Sequence, residues 1–299
     1  MLTKTILKGD SKMELMFSII IYVFVALFGV CIGSFLNVCI YRLPNNESLT
    51  KRNSHCMTCG EEIKRRDLIP IISWCWLRGK CRNCGSKISP RYTVVEALNG
   101  LLTLLVFLYY NVAESFFQIH GIAILVYAIL VSLLIAALIV VFFMDWDTQL
   151  INTGVVIFIA ILAIPEYLIC REFTGLTLLS QIIGALIISI PLLIIVLISH
   201  EKAMGMGDVY LMAAAGLFLG IKASVVAFLI ALITASICGL IIKHIKGNSV
   251  FAFGPYLSIG IAFSAVFGNH IADWYISFTG LNEPAEQVKM IAESIISAL

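Results

Sequence analysis

Long apolar runs dominate this 299-residue chain and limit what it can fold into. A bilayer core is crossed by roughly 20 consecutive, mostly apolar residues in one helix. Eight runs fit that role, at 16–40, 93–110, 121–144, 153–170, 176–199, 208–220, 223–243 and 250–270. The sixth is short, which suits a tilted or locally thinned crossing, or one buried among its neighbours. The first is too long for a cleaved signal peptide, and its end, Gly33-Ser34-Phe35-Leu36-Asn37, is unlike a small-residue cleavage site. Only 13% of the residues are charged and 60% are hydrophobic, too little polar surface to cover a soluble globule of this size. That balance sets aside a soluble enzyme, a disordered chain and a disulfide-rich secreted domain. The expected fold is an all-α polytopic membrane protein of about eight transmembrane helices.

The net charge of +2 hides an asymmetry. Residues 42–91 hold 11 of the 20 Lys/Arg against 4 Asp/Glu, so one short basic segment interrupts an otherwise slightly acidic chain. Basic loops stay in the cytoplasm. This rule puts 42–91 inside, the N-terminus outside, and loops 145–152, 200–207 and 244–249 inside as well. Loops 111–120, 171–175 and 221–222 fall outside, with only Arg171 and Lys222 between them. The expected organisation is a tail at 1–15, a first transmembrane helix at 16–41, a cytoplasmic loop module at 42–92, a seven-helix core at 93–270 and a tail at 271–299. In the last tail, Val288, Ile291, Ala292, Ile295 and Leu299 recur at helical spacing, which fits an amphipathic surface helix or a frayed terminus.

The basic segment carries Cys56-x2-Cys59 and, 21 residues later, Cys81-x2-Cys84, each pair followed by a glycine (Gly60, Gly85). Four thiolates at this spacing suit a tetrahedral Zn2+ ion. The alternatives are free thiols or two local disulfides, which a cytoplasmic loop disfavours. His55 could replace a cysteine as ligand. Four cysteines leave no open coordination position, so the metal is expected to be structural, letting a segment without a large core fold. The positive charges could also hold the segment near anionic lipid. No nucleic-acid partner is expected.

Ionisable groups at membrane depth are expensive and usually functional. Of six Asp, only Asp145, Asp147 and Asp208 lie at the edges of spans. Asp145 ends the third and Asp208 opens the sixth, and the two spans between them return the chain to the same face. Both carboxylates therefore belong at one boundary. Two facing carboxylates share a proton, and such a pair activates water and protonates a leaving amine. Asp145 and Asp147 stand about 200° apart on a helix, so only one can face Asp208. Gly205 and Gly207 would let a backbone or an extended substrate approach Asp208. The competing reading makes all three aspartates interfacial caps. Glu96, inside the second span, is expected to pair with Arg91 or Arg42 and orient the cysteine loop.

With these residues in view, the chain resembles the type IV prepilin peptidases, the GxGD class of intramembrane aspartyl protease. The resemblance runs from about residue 16 to 270. It rests on Gly33-Ser34-Phe35-Leu36-Asn37-Val38 with Tyr41-Arg42-Leu43-Pro44, the two Cys-x2-Cys pairs with Ile69-Pro70 between them, and Arg91-Tyr92 with Glu96. It continues through Asp145-x-Asp147, Gly205-x-Gly207-Asp208 and Phe253-Gly254-Pro255-Tyr256-Leu257. It implies eight helices with a cytoplasmic zinc subdomain in a bacterial inner membrane. It also implies removal of short basic leaders from prepilins and pseudopilins at the cytoplasmic face, typically after a Gly. Members with the tetracysteine box commonly also methylate the new N-terminal amine with S-adenosylmethionine, for which no binding residues are readable. The family's catalytic pair falls on Asp145 and Asp208. The chain departs from the family pattern at Ile151-Asn152-Thr153, where many members have Leu-Pro-Asp. It departs again at Tyr210, where many have Lys, and at Arg66, where an aromatic often precedes the acidic residue.

Two other readings compete. An ion or solute carrier could use Asp145 and Asp208 as coordinating groups, but carriers place such residues near the midplane of repeated halves, and no repeat is visible. A zinc-dependent membrane enzyme would need an open metal position.

Overall fold

The computed structural model describes residues 11–51, 53–115, 119–201, 204–246 and 252–280. The amphipathic pattern expected at 282–299 lies outside them. Helices carry the fold: α1 (Ser11–Arg42), α2 (Arg91–Tyr109), α3 (Gly121–Thr148), α4 (Thr153–Pro165), α5 (Leu178–Ser199), α6 (206–219), α7 (221–246) and α8 (Gly254–Phe278). No strand occurs among the described residues, only two isolated bridges in the cysteine segment. Among the described residues six helices are long and apolar enough to cross a membrane, and the longest span, Met206–Ile245, takes in α6 and nearly all of α7.

Hydropathy placed the spans, and polar caps and breaks moved their ends. The fourth continues past Pro165 as a π-helical turn, Glu166–Cys170, and a last turn, Arg171–Thr174. It begins at Asn152, whose side chain accepts the amide of Gly154 at 2.8 Å. Between α6 and α7 the chain reverses at Gly220, with φ 71° and ψ −175°. That conformation is essentially open to glycine alone. Leu176 and Ser180 close over it, and an added Cβ would sit 2.6 Å from Leu176 Cδ2. A two-residue loop was expected at 221–222, whereas one glycine makes the turn.

The helices form a bundle with α3 at its centre, buried along much of its length from Tyr127 to Asp145. α1 packs along α2, joined by a hydrogen bond from Asn99 Nδ2 to the Gly29 carbonyl at 2.7 Å and another from Asn37 Nδ2 to the Tyr92 carbonyl at 3.0 Å. Lipid tails offer no hydrophobic contrast, so such polar links and close backbone approaches hold membrane helices together. α5, α6, α7 and α8 stack in sequence, each antiparallel to the next.

The bundle has two distinct ends. At one, Arg91 pairs with Asp147 and the Gly254 amide donates to Asp145. At the other, Tyr110, Tyr127 and Phe173 pack edge to face, and Lys222 pairs with Asp273 at 2.6 Å. Two of the loops expected on one face, 42–91 and 145–152, meet here through Arg91 and Asp147. Gly220→Ala is expected to destabilise the detergent-solubilised protein by about 1–3 kcal/mol, read as a lowered thermal midpoint. An unchanged midpoint would show that the turn tolerates a side chain.

Candidate active site and metal centre

Asp145 lies in the last turn of α3 and Asp208 in the first turn of α6, and both are buried, at 5% and 7% exposure. Two buried acids at helix ends, 63 residues apart in sequence, stand close enough to interact electrostatically. A third element completes the site. The amide of Gly254, the first residue of α8, donates to Asp145 Oδ2 at 3.0 Å. Helix-opening amides have no partner inside their own helix and carry the positive end of the macrodipole, so they suit a carboxylate. A Cβ on Gly254 would fall 2.6 Å from that same oxygen. Gly254 had been noted only within a motif; no periodicity or spacing signals that its amide faces a carboxylate 109 residues away.

Asp147 points elsewhere. Its Oδ2 accepts Arg91 Nη1 at 2.6 Å, so the 200° separation along the helix divides the two aspartates between different partners. Gly207 packs against Ile151, where an added Cβ would meet Ile151 Cβ at 3.0 Å, while Gly205 is exposed with open space around it. Gly205 thus leaves open space three residues before Asp208.

Glu96 does orient the cysteine segment, but through neither arginine. Glu96 Oε2 accepts the backbone amide of Ile71 at 2.7 Å. Arg42 instead donates to the carbonyls of Ser48, Leu49 and Asn53. Ile71 has a positive φ of 61°, a strained conformation for a β-branched residue, and the carboxylate holds it there. The sequence reading passed over Glu166, which is fully buried. Thr174 Oγ1 at 2.8 Å and Gln181 Nε2 satisfy its carboxylate and tie the π-helical turn to α5 at the end away from Asp145.

The four cysteines converge. Cys56, Cys59, Cys81 and Cys84 hold their sulfurs within 4.8 Å of one another, and all are free thiols. Two matching knuckles present them. Cys56 N donates to Glu61 O and Gly60 N to Cys56 O, both at 2.9 Å; Cys81 N donates to Ser86 O at 2.8 Å and Gly85 N to Cys81 O at 2.9 Å. Gly60 and Gly85 share a φ of 71°. Thiolates about 2.3 Å from a tetrahedral ion stand about 3.8 Å apart, and Cys56 Sγ lies 3.8 Å from Cys84 Sγ. The amides of Cys59 and Thr58, with the Ser86 hydroxyl, hold the Cys56 thiol down at about 5. The Ser86 hydroxyl and amide lower that of Cys84. A low thiol pKa favours the thiolate that a metal needs. Arg82 grips Asp67 through two hydrogen bonds of 2.8 and 2.7 Å, which keep that carboxyl below its usual range.

Between this module and the ends of α1 and α2 lies a cavity of about 570 Å³, bordered by Asn37, Tyr41, Trp74, Tyr92, Thr93 and Glu96 among others.

A family model described as the bacterial peptidase A24 N-terminal domain matches residues 27–110, and one described as the type IV leader peptidase family matches 132–240. The chain is 35% identical, over 78% of its length and 88% of the relative's, to a type 4 prepilin-like proteins leader peptide-processing enzyme of Escherichia coli O78:H11 (strain H10407 / ETEC). The chain belongs to the type IV leader peptidase family. It is also 32% identical to a prepilin leader peptidase/N-methyltransferase of Neisseria gonorrhoeae, over 78% of this chain and 86% of the relative. With one from Legionella pneumophila the identity is 30%, over 86% and 95%. No solved structure matches. In this leader peptidase family member, the first matched region holds the cysteines, Arg91 and Glu96, and the second holds the three aspartates; Gly254 lies beyond both.

The cysteine cage is expected to take one divalent ion per chain. The Co2+-substituted protein should show thiolate charge-transfer absorption, and Cys59→Ser should weaken it. Four freely titratable thiols in the protein as purified, without chelator, would contradict a metal centre.

Proposed function

We propose that this protein is a membrane aspartyl endopeptidase that removes the leader from type IV prepilins and pseudopilins, and that it then methylates the new N-terminal amine with S-adenosylmethionine. The burial of both Asp145 and Asp208 at helix ends, with the α8 amide on Asp145, carries the reading. Two buried carboxylates that face one another share one proton. The ionised member takes a proton from water as it attacks the scissile carbonyl, and the protonated member gives its proton to the leaving amine. The substrate strand enters past exposed Gly205. A carrier is not favoured, since no relative named above is one and the acids stand at helix ends. A zinc hydrolase needs an open metal position, which four thiolates deny.

We place this end of the bundle at the cytoplasmic face of the bacterial inner membrane, because the module carrying 11 of the 20 Lys/Arg sits there. The cage suits Zn2+ in a structural role, as its ligands are all sulfur. The cavity beneath it fits S-adenosylmethionine in size and chemistry. Tyr92, Tyr41 and Trp74 border it and offer faces to an adenine, and the opening turn of α2 lies there. Thr93 Oγ1, buried and without a hydrogen-bond partner among the described residues, borders it too. The bound cofactor would supply the methyl group; the residues named would hold it beside the newly freed amine.

With a co-expressed prepilin, Asp145→Asn and Asp208→Asn should each abolish leader removal while the protein still inserts. Asp147→Asn, which keeps an oxygen to accept from Arg91, should keep substantial activity. Gly254→Ala should cut the rate by about 100-fold, the cost of a displacement near 1 Å at the reacting groups. Cleavage by either of the first two variants would refute the pair. For the cofactor, Tyr92→Ala should weaken S-adenosylhomocysteine binding, measured by calorimetry, about tenfold, the lower part of the range for a lost base stack. Unchanged affinity would place that site elsewhere.

A further inference from the structure

Arg91 is the first residue of α2 and follows the second cysteine knuckle by only a few residues. Its guanidinium makes three contacts with a single other helix. Nη1 meets Asp147 Oδ2 at 2.6 Å, Nη2 donates to the Phe143 carbonyl at 3.3 Å, and the guanidinium carbon lies 4.7 Å over the Phe143 ring centre. Phe143 and Asp147 are four residues apart and share a face of α3. Asp145 lies midway between them in sequence, about 200° from each, and so faces the other way. The arginine therefore grips the back of the turn whose front presents Asp145 to Asp208 and Gly254.

The other end of this link is anchored in the metal module. Trp74 Nε1 donates to the Ile88 carbonyl at 3.2 Å, Ile88 N donates to Gly79 O at 2.7 Å, and Glu96 on α2 holds the Ile71 amide. The knuckle, the start of α2 and the end of α3 thus form one connected set of contacts. A partly exposed ion pair contributes little stability by itself. Arg91 and Asp147 are 36% and 39% exposed, so a purely stabilising role explains poorly why three contacts converge on one turn. A planar fork that bonds a carboxylate and a carbonyl while stacking on a ring fixes orientation in a way a point charge does not.

We propose that Arg91 is a positioning residue for proteolysis, setting the orientation of the α3 turn that carries Asp145 and coupling it to the metal module. This rests on the reading of Asp145 and Asp208 as the catalytic pair. Arg91 does not touch the reacting atoms, so its loss should slow the chemical step and leave substrate binding largely intact.

The test is steady-state cleavage of a prepilin substrate by the full-length protein in lipid nanodiscs, with metal content and thermal midpoint measured for every variant. Arg91→Gln should lower kcat by about 10- to 100-fold with KM within about twofold. Arg91→Lys, keeping the charge without the fork, should fall between. The exchange of Arg91→Asp with Asp147→Arg should recover at least about tenfold over Arg91→Asp alone. Lys222→Gln, which breaks the ion pair at the opposite end of the bundle, should leave kcat unchanged. An unaltered kcat in Arg91→Gln, a loss confined to KM, or an exchange no better than the single variant would each overturn the proposal. Cleavage by Asp145→Asn would instead overturn the catalytic pair, and the proposal with it.

Discussion

Lipid offers no partner to a backbone amide, and the rest of the structure depends on that constraint. Within the hydrocarbon every amide is satisfied inside a helix, so irregular backbone is confined to helix ends or to places buried by protein. Chemistry that needs free amides, two acids and an extended peptide must then gather where helices start and stop. Asp145 at the end of α3, Asp208 at the start of α6 and the Gly254 amide at the start of α8 meet that condition together. The turn between α6 and α7, at Gly220, lies under Leu176 and Ser180, and its carbonyl accepts the Ser224 hydroxyl.

The same constraint separates the two parts of the chain. The bundle is held by apolar packing and a few buried polar links, such as Asn99 to Gly29 and Glu166 to Gln181. The segment between α1 and α2 has little apolar core, and four cysteines whose sulfurs lie within 4.8 Å of one another are placed to hold a metal ion there. Glu96 and Arg91, on the helix that follows, join the module to the bundle. The basic module thus borders the cavity and is linked through Arg91 to the helix that carries Asp145.

Much of the fold was legible because hydropathy and length alone decide whether a segment can cross a bilayer. Parity gave the expectation that Asp145 and Asp208 lie near one another, since an even number of crossings returns a chain to the same face, and both are buried at helix ends. The cysteine cage was legible from spacing, which reports a local turn. The unread features share one physical cause: they depend on long-range contacts that leave no periodic trace. Glu96 finds the Ile71 amide 25 residues away, where an arginine had been expected. Gly254 is recognisable as a glycine, but that its amide faces Asp145 follows only from how α8 docks on α3. Glu166 reads as an ordinary span-end acid until α5 brings Gln181 to it.

The central claim is that the two buried aspartates at this end of the bundle process a prepilin. Mass spectrometry of a prepilin co-expressed with the wild-type protein tests it most directly, because a single spectrum reports both leader removal and modification of the new terminus. The account predicts a chain shortened by its leader and heavier by one N-terminal methyl group. A prepilin recovered at full length beside a correctly inserted protein would contradict it.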